Sequence, residues 1–185
     1  MPFVVVYDAN ALYPNAQRDL LIRIAQAGLV QAKWTAEIVD EMVAARLRRN
    51  PELDPAKLER LKGLINHSVP DCLVWGYEPL VTGLKLPGPD DRHVLAAAIK
   101  SGAQVIVTAN TKDFPAEDLA EFDVEAKTPD DFVLDQISID DRIVFACVRD
   151  IANCRTSPCT SEDVLSELEN NGLVTSVAAL RSPPS

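Results

Sequence analysis

The 185-residue chain is 47% hydrophobic and 25% charged, a mixture that supports a globular core and excludes wholesale disorder, and its length suits one domain with an extension. No apolar run approaches the ~20 residues that cross a bilayer, and the start MPFVVVYDAN lacks a basic stretch and a small-residue cleavage site, so no membrane partner and a cytoplasmic location are expected. The net charge of −10 is uneven: residues 113–169 hold sixteen acidic and four basic side chains, whereas residues 1–62 hold nine basic and eight acidic ones, so the first two thirds can meet phosphates.

Phe3 to Tyr7 is a continuous β-branched and aromatic run, as in a strand buried on both faces, with Asp8 at its carboxyl end. A helix is expected over Asn15 to Ala27, ended by Gly28, and a short segment then leads to Thr35 as the N-cap of a helix from Ala36 to Arg49. In that helix Ile38, Val39, Met42 and Val43 set the buried direction; Glu37 points away from it, while Glu41 lies at the stripe's edge, where a side chain can face a cleft. Arg48 follows on the same strip, roughly 10 Å along the axis. It could reach a phosphate, and Arg46, Arg49, Lys57, Arg60 and Lys62 make the surrounding stretch basic.

Pro55 to Ile65 is the next expected helix, Val69 to Trp75 an extended stretch, and Gly76 to Pro89 a long loop. Asp90 to Ser101 reads as a helix with Val94, Leu95, Ala98 and Ile99 inward and Gly102 beyond its end. Val105 to Thr108 is a second buried strand, followed by a loop from Asn110 to Phe114 that contains Asp113. Strands separated by helices in this order argue for a parallel α/β sheet, whose ligands bind beyond the strands' carboxyl ends. Asp8 and Asp113 are expected to meet there. After a short run near Val124 the chain reads as helical, with starts at Thr128-Pro129-Asp130-Asp131, at Asp140 and at a Thr160/Asp163 capping box, then a last helix from Val174 to Leu180 and a frayed tail from Ser182 to Ser185. Cys72, Cys147, Cys154 and Cys159 form no CxxC pair and are expected to be reduced, mostly buried thiols.

Carboxylates that converge without basic partners repel by ~4 kcal/mol at 4 Å and an effective dielectric of 20, and a shared cation is the usual remedy. The segments VVVYDANAL, WTAEIVDEMV, DDRHVLAAAI with GAQVIVTANTKDF, and TPDDFV together resemble the PIN-domain ribonucleases, especially the VapC-type toxins of toxin-antitoxin pairs. The resemblance implies a PIN-like parallel β-sheet sandwiched by α-helices over residues 1–135. Residues 136–185 are left as an acidic helical extension, expected to pack against that domain and either shape the RNA entrance or contact the antitoxin. It implies that Asp8, Glu41, Asp91 and Asp113 hold one or two Mg²⁺ or Mn²⁺ ions, which activate a water against a phosphodiester and leave a 5′-phosphate and a 3′-hydroxyl. Asp90 is a neighbour of the third acid, Asn10 and Thr108 are neutral supporting groups, and Asn110 stands at a position often acidic in relatives.

Arg46, Arg48, Arg49, Arg92 and Lys112 are the candidate RNA contacts. The implied partners are an RNA (transfer, ribosomal or messenger), a cognate antitoxin and a second copy of the chain, and the implied outcome is inhibition of translation. His93, in the same motif helix, is expected to have a surface or packing role. Two alternatives stand beside this reading: a phosphatase similar to the haloacid-dehalogenase class, on the strength of D-x-N after a strand, and a non-catalytic interaction protein on the same fold.

Overall fold

The computed structural model describes residues 2–182. Four short strands, β1 (Val4–Tyr7), β2 (Gln31–Lys33), β3 (Val105–Val107) and β4 (Glu125–Lys127), form one parallel sheet in the order β2-β1-β3-β4. In β1, Val5, Val6 and Tyr7 are all fully buried, and in β3 so are Ile106 and Val107. Consecutive buried residues require cover on both faces of a sheet, which explains why the two central strands read as unbroken apolar runs.

The helices are α1 (Ala9–Leu12), α2 (Asn15–Gln26), α3 (Ala36–Arg49), α4 (Pro55–Ser68), α5 (Glu78–Val81), α6 (Arg92–Ser101), α7 (Ala116–Leu119), α8 (Pro129–Ile139), α9 (Asp141–Cys154), α10 (Ser161–Asn170) and α11 (Val174–Arg181). Thr35 caps α3 as its sequence suggests, accepting from the Ile38 amide at 3.0 Å, and Gly28 takes φ +83 after α2, a conformation open to glycine. The expected helix from Asp90 instead begins as a 3₁₀ turn, Pro89–Asp91, before α6. The extended stretch 69–75 touches the sheet edge through a parallel bridge between Trp34 and Leu73, and the long loop after it contains α5. Cys72 and Cys147 are buried as expected, but Cys154 is exposed and Cys159 half-buried, because the end of α9 and the loop after it face solvent.

The C-terminal helices do not hang off the sheet. Phe132 of α8 is fully buried and meets the Tyr7 ring edge-on at 5.9 Å, while Trp34 stacks on Tyr7 at 6.2 Å. Truncating a buried phenylalanine in such a cluster costs about 3–5 kcal/mol. Helix α9 lies against α2 and α10, and α11 packs on α8. The boundary expected at residue 135 therefore falls inside α8. Among the described residues no helix is long and apolar enough to cross a membrane. Of the tail expected to fray from Ser182 to Ser185, residues 183–185 lie outside the described residues.

Candidate metal centre and nucleic-acid cleft

A cleft of about 710 Å³ opens at the carboxyl ends of β1 and β3, lined by Asp8, Asn10, Glu41, Asp90, Asp91, Asn110 and Asp113, with Tyr13, Glu37, Arg48 and His93 among its other walls. Four acids that are far apart in sequence reach it by different routes. Asp8 directly follows β1, Glu41 projects from α3, Asp91 ends the 3₁₀ turn before α6, and Asp113 ends a 3₁₀ turn after β3 (Thr111–Asp113).

Asp8 is held from three directions. Its Oδ1 accepts from the Ala9 amide at 2.7 Å, and its Oδ2 accepts from Asn10 Nδ2 at 3.0 Å and Thr108 Oγ1 at 2.8 Å. With Oδ2 doubly occupied, the unused acceptor capacity lies on Oδ1. Asn10 also donates to Thr108 Oγ1 at 3.1 Å and accepts from the Ala109 amide at 2.8 Å, and Thr108 Oγ1 accepts from the Asn110 amide at 3.1 Å. These bonds tie the loop after β3 to the end of β1, so the supporting residues orient a carboxylate. Burial pushes the Asp8 pKa up, a shift that the hydrogen bonds from Thr108 and Ala9 only partly oppose.

Asp91 sits at the start of α6, yet its carboxylate makes no capping hydrogen bond. It folds back over Gly88, where an added Cβ would collide with Oδ2. Burial, and then the charges of Asp113 and Asp8, push its pKa up to about 6. No lysine or arginine forms an ion pair with Asp8, Asp91 or Asp113 among the described residues.

Glu41 is in a different situation. His93, buried against α3, places Nε2 2.9 Å from Glu41 Oε1, and its Nδ1 lies 3.6 Å from Glu37 Oε2 without a hydrogen-bond partner. Glu37 also accepts from the Tyr77 hydroxyl at 2.8 Å. Burial opposes protonation of His93, but the hydrogen bond to Glu41 and the charges of Glu41, Glu37 and Asp8 outweigh it and raise the pKa above its ordinary value. Of the surface or packing role expected for His93, the structure shows packing, with an acid pair added to it, and Glu37, exposed as its helical phase suggests, lines the cleft as well. Residues four apart share one face of a helix, and Glu37 and Glu41 both line the cleft, joined there by His93 from α6, while Tyr77 holds Glu37 from outside the lining. Helical phase within α3 carried no sign of either.

Glu37, Glu41 and His93 are also the one set of three potential ligands whose donor atoms lie within 4.8 Å of one another among the described residues. Asp8, Asp91 and Asp113 share the cleft without reaching that proximity. The donor set nonetheless fits a hard divalent cation: all-oxygen carboxylates on one wall, a free acceptor position on buried Asp8, and raised pKa values that a positive charge would reverse. Mg²⁺ keeps several waters and takes only one or two carboxylates directly, so close contact among the acids is not required.

Of the candidate RNA contacts, Arg48 lines the cleft. Arg46 lies over the Tyr13 ring, 5.3 Å from its centroid, and donates to Asn15. Arg49 and Lys112 are exposed and Arg92 half-buried, and none of the three lines the cleft. Lys62 is engaged by Asp40 at 2.6 Å and Glu59 at 3.3 Å.

Comparison with known proteins identifies the family. Residues 4–112 match the PIN domain family, and residues 129–182 match a family described as the VapC50 C-terminal domain. The chain is 37% identical over 87 residues to a protein of Mycobacterium tuberculosis (strain ATCC 25618 / H37Rv) named "Putative ribonuclease VapC50". That match covers 47% of this chain and 51% of the relative, so the chain spans about half the length of the curated relative it matches. No solved structure matches. The PIN match takes in the strand bearing Asp8, the helix bearing Glu41 and the turn bearing Asp91, it displaces the phosphatase alternative, and the chain belongs to the PIN-domain family, with a C-terminal extension of the VapC50 type.

Proposed function

We propose that this chain is a Mg²⁺- or Mn²⁺-dependent endoribonuclease, the toxin of a toxin-antitoxin pair, which inhibits translation by cutting an RNA in the cytoplasm. The observation that carries the reading is that Asp8, Asp91 and Asp113 line one cleft with Glu41 and that, among the described residues, the first three have no basic partner. The relative's name, which calls it a ribonuclease, supports the same reading. The cognate antitoxin and a homodimer rest on the family resemblance. The nuclease unit is read as residues 1–135 and the acidic extension as 136–185, with α8 continuous across the join.

In this reading Asp8, Asp91 and Asp113 hold the metal and Glu41 completes the set directly or through water, with Asp90 and Asn110 flanking. An ion held there would supply positive charge to a scissile phosphate and would lower the pKa of a water. The protein's own part is orientation. Asn10 and Thr108 fix the Asp8 carboxylate, Gly88 leaves room for Asp91, and His93 steadies Glu41. Arg48 meets the RNA at the cleft wall, with Arg46, Arg49, Arg92 and Lys112 as further contacts.

The test is to incubate wild type and Asp91→Asn with total RNA, with Mg²⁺ or Mn²⁺ or with chelator, and to map the new 5′ ends. Cleavage that needs both the metal and Asp91, leaving 5′-phosphates, is expected. Cleavage that survives both the substitution and the chelator overturns the reading.

A further inference from the structure

Just outside the acidic cleft two arginines converge with no carboxylate between them. Arg18 comes from α2 and Arg46 from α3, and both guanidinium groups donate to one oxygen, Asn15 Oδ1, Arg18 through Nη2 at 2.8 Å. Arg18 also donates through Nη1 to the Leu12 and Tyr13 carbonyls at 2.9 and 3.3 Å, the open end of α1. Arg46 lies over the Tyr13 ring, and its Nε is buried with no hydrogen-bond partner.

Most basic side chains among the described residues form no ion pair, so what sets these two apart is the one neutral oxygen they share. Arg23, Arg155, Arg181, Lys62 and Lys127 each sit against a carboxylate, whereas neither Arg18 nor Arg46 forms an ion pair among the described residues. Asp19, next to Arg18, is engaged by Arg23 at 2.8 Å. The like charges oppose each other: burial first, and then the charge of Arg46, push the Arg18 pKa down to about 10. A pair of cations that shares one neutral acceptor and keeps unused N–H groups is short of an anion.

The position of the pair indicates which anion. Tyr13 and Arg48 line the acidic cleft, while Asn15 and Arg18 line a neighbouring concavity of about 650 Å³. The pair sits where the two meet. Helix α1 joins them: Asp8 caps its first turn and Arg18 closes its last carbonyls. At 1.5 Å per residue α1 is only ~6 Å long, so one nucleic-acid strand can touch both ends. Guanidinium forks match phosphate oxygens and remain charged at any working pH.

We propose that Arg18 and Arg46, braced by Asn15 and Tyr13, form a phosphate clamp for the RNA strand next to the scissile position. The proposal rests on the ribonuclease reading, and it places a specificity-independent anchor on the α1 side of the cleft. An acidic segment of a protein partner is the competing occupant; continuity with the cleft favours the RNA phosphate.

The test uses the full chain in chelator, so that no cleavage occurs, with a labelled single-stranded RNA whose dissociation constant is followed against KCl concentration. Arg46→Gln is expected to weaken binding several-fold and to lower the slope of log affinity against log salt by about 0.7, the value for one lost single-strand phosphate contact. Arg46→Lys, which keeps the charge and loses the fork, is expected to retain the slope and bind between the two. It also serves if Arg46→Gln does not fold. Arg142→Gln on α9 is expected to match wild type.

An unchanged slope in Arg46→Gln overturns the clamp, as does loss of binding to an Asp/Glu-rich peptide with RNA binding intact. Adding Mn²⁺ separates the two readings. Metal-dependent cleavage with an unchanged slope overturns the clamp alone. A lowered slope with no metal-dependent cleavage upholds the clamp and overturns the nuclease.

Discussion

The same residue types behave oppositely in the cleft and in the C-terminal extension. In the cleft, Asp8, Asp91 and Asp113 line one concave wall, and among the described residues no arginine or lysine pairs with them. In the extension nearly every well-placed acid has a partner: Asp163 completes the capping box of α10 with Thr160, Glu167 meets Arg155 at 2.6 Å, and Glu162 and Glu169 both meet Arg181. Asp130, in the first turn of α8, accepts from the Thr175 and Ser176 amides at 2.9 and 2.8 Å and so caps α11 from another helix. An acid that is capped or paired contributes to stability. One that is left to repel its neighbours costs stability, and it persists where it holds something else. Net charge alone would have assigned the anion-repelling role to the whole molecule.

The largest effect is expected where an unpaired acid is removed. Asp91→Asn should reduce RNA cleavage by at least ~100-fold, since losing even an outer partner of a metal ligand costs ~10- to 100-fold; near-normal cleavage would break the contrast at its functional end. Gly88→Ala tests the same carboxylate without touching it. The added Cβ displaces the Asp91 side-chain end and no backbone, so a loss on the order of 10- to 100-fold in rate is expected with an unchanged melting temperature. Where α8 caps the extension's last helix the order reverses. Asp130→Ala should leave cleavage intact and cost about 1–3 kcal/mol, because two amides in the first turn of α11, one of them on buried Ser176, lose their acceptor. Burial raises the Asp130 pKa, but the hydrogen bonds from Ser176 and Thr175 outweigh it and hold the value below the ordinary 3.8. Its contribution is therefore complete above that ordinary value and disappears as pH falls through the depressed one. The melting-temperature gap between wild type and Asp130→Ala should be flat near neutrality and close in strong acid.

Asp130 also marks what the sequence could and could not reveal. The central strands were legible because burial on both faces leaves continuous runs such as Val4 to Tyr7, and the caps at Thr35 and Thr160 were legible because they act within three residues. The cap of α11 was not: its own N-cap position is Leu173, and the acceptor comes from a residue 45 positions earlier. The site divides in the same way. Asp8, Asp91 and Asp113 follow or open regular elements, and the topology dictates that these ends meet. The contacts of His93 with Glu37 and Glu41, and of Tyr77 with Glu37, arise only through packing between α3, α6 and the loop before α5, which no periodicity within one segment encodes. The Arg18–Asn15–Arg46 cluster likewise needs α2 and α3 side by side.

Two smaller measurements sharpen the contrast in stability. Because burial and like charges raise the folded-state pKa of Asp91 to about 6 from 3.8, its ionised form subtracts stability at neutral pH, and nothing is subtracted below the unfolded value. In chelator, Asp91→Asn should therefore melt slightly higher than wild type at pH 7 to 8. The gain is up to about 1 kcal/mol after allowing for the solvent screening of a part-exposed group. The gain should shrink as pH falls from about 6 toward 3.8, and Mn²⁺ should reverse it by binding only the wild-type acids.

The smallest effect is expected at Arg181. Its contacts to Glu162 at 2.5 Å and Glu169 at 2.8 Å lie in water, with the acids 62% and 42% exposed. Arg181→Ala should lower the melting temperature slightly at low ionic strength and not at all at 1 M salt, where the Debye length is about 3 Å. Cleavage should not change. If it falls tenfold instead, the paired acids of the extension act on the RNA as well as on the fold, because unpairing Glu162 and Glu169 leaves more negative charge to repel an RNA backbone. The ion pairs would then serve to keep that field small, and the line between the two regions would have to be drawn by exposure of charge and not by position in the chain.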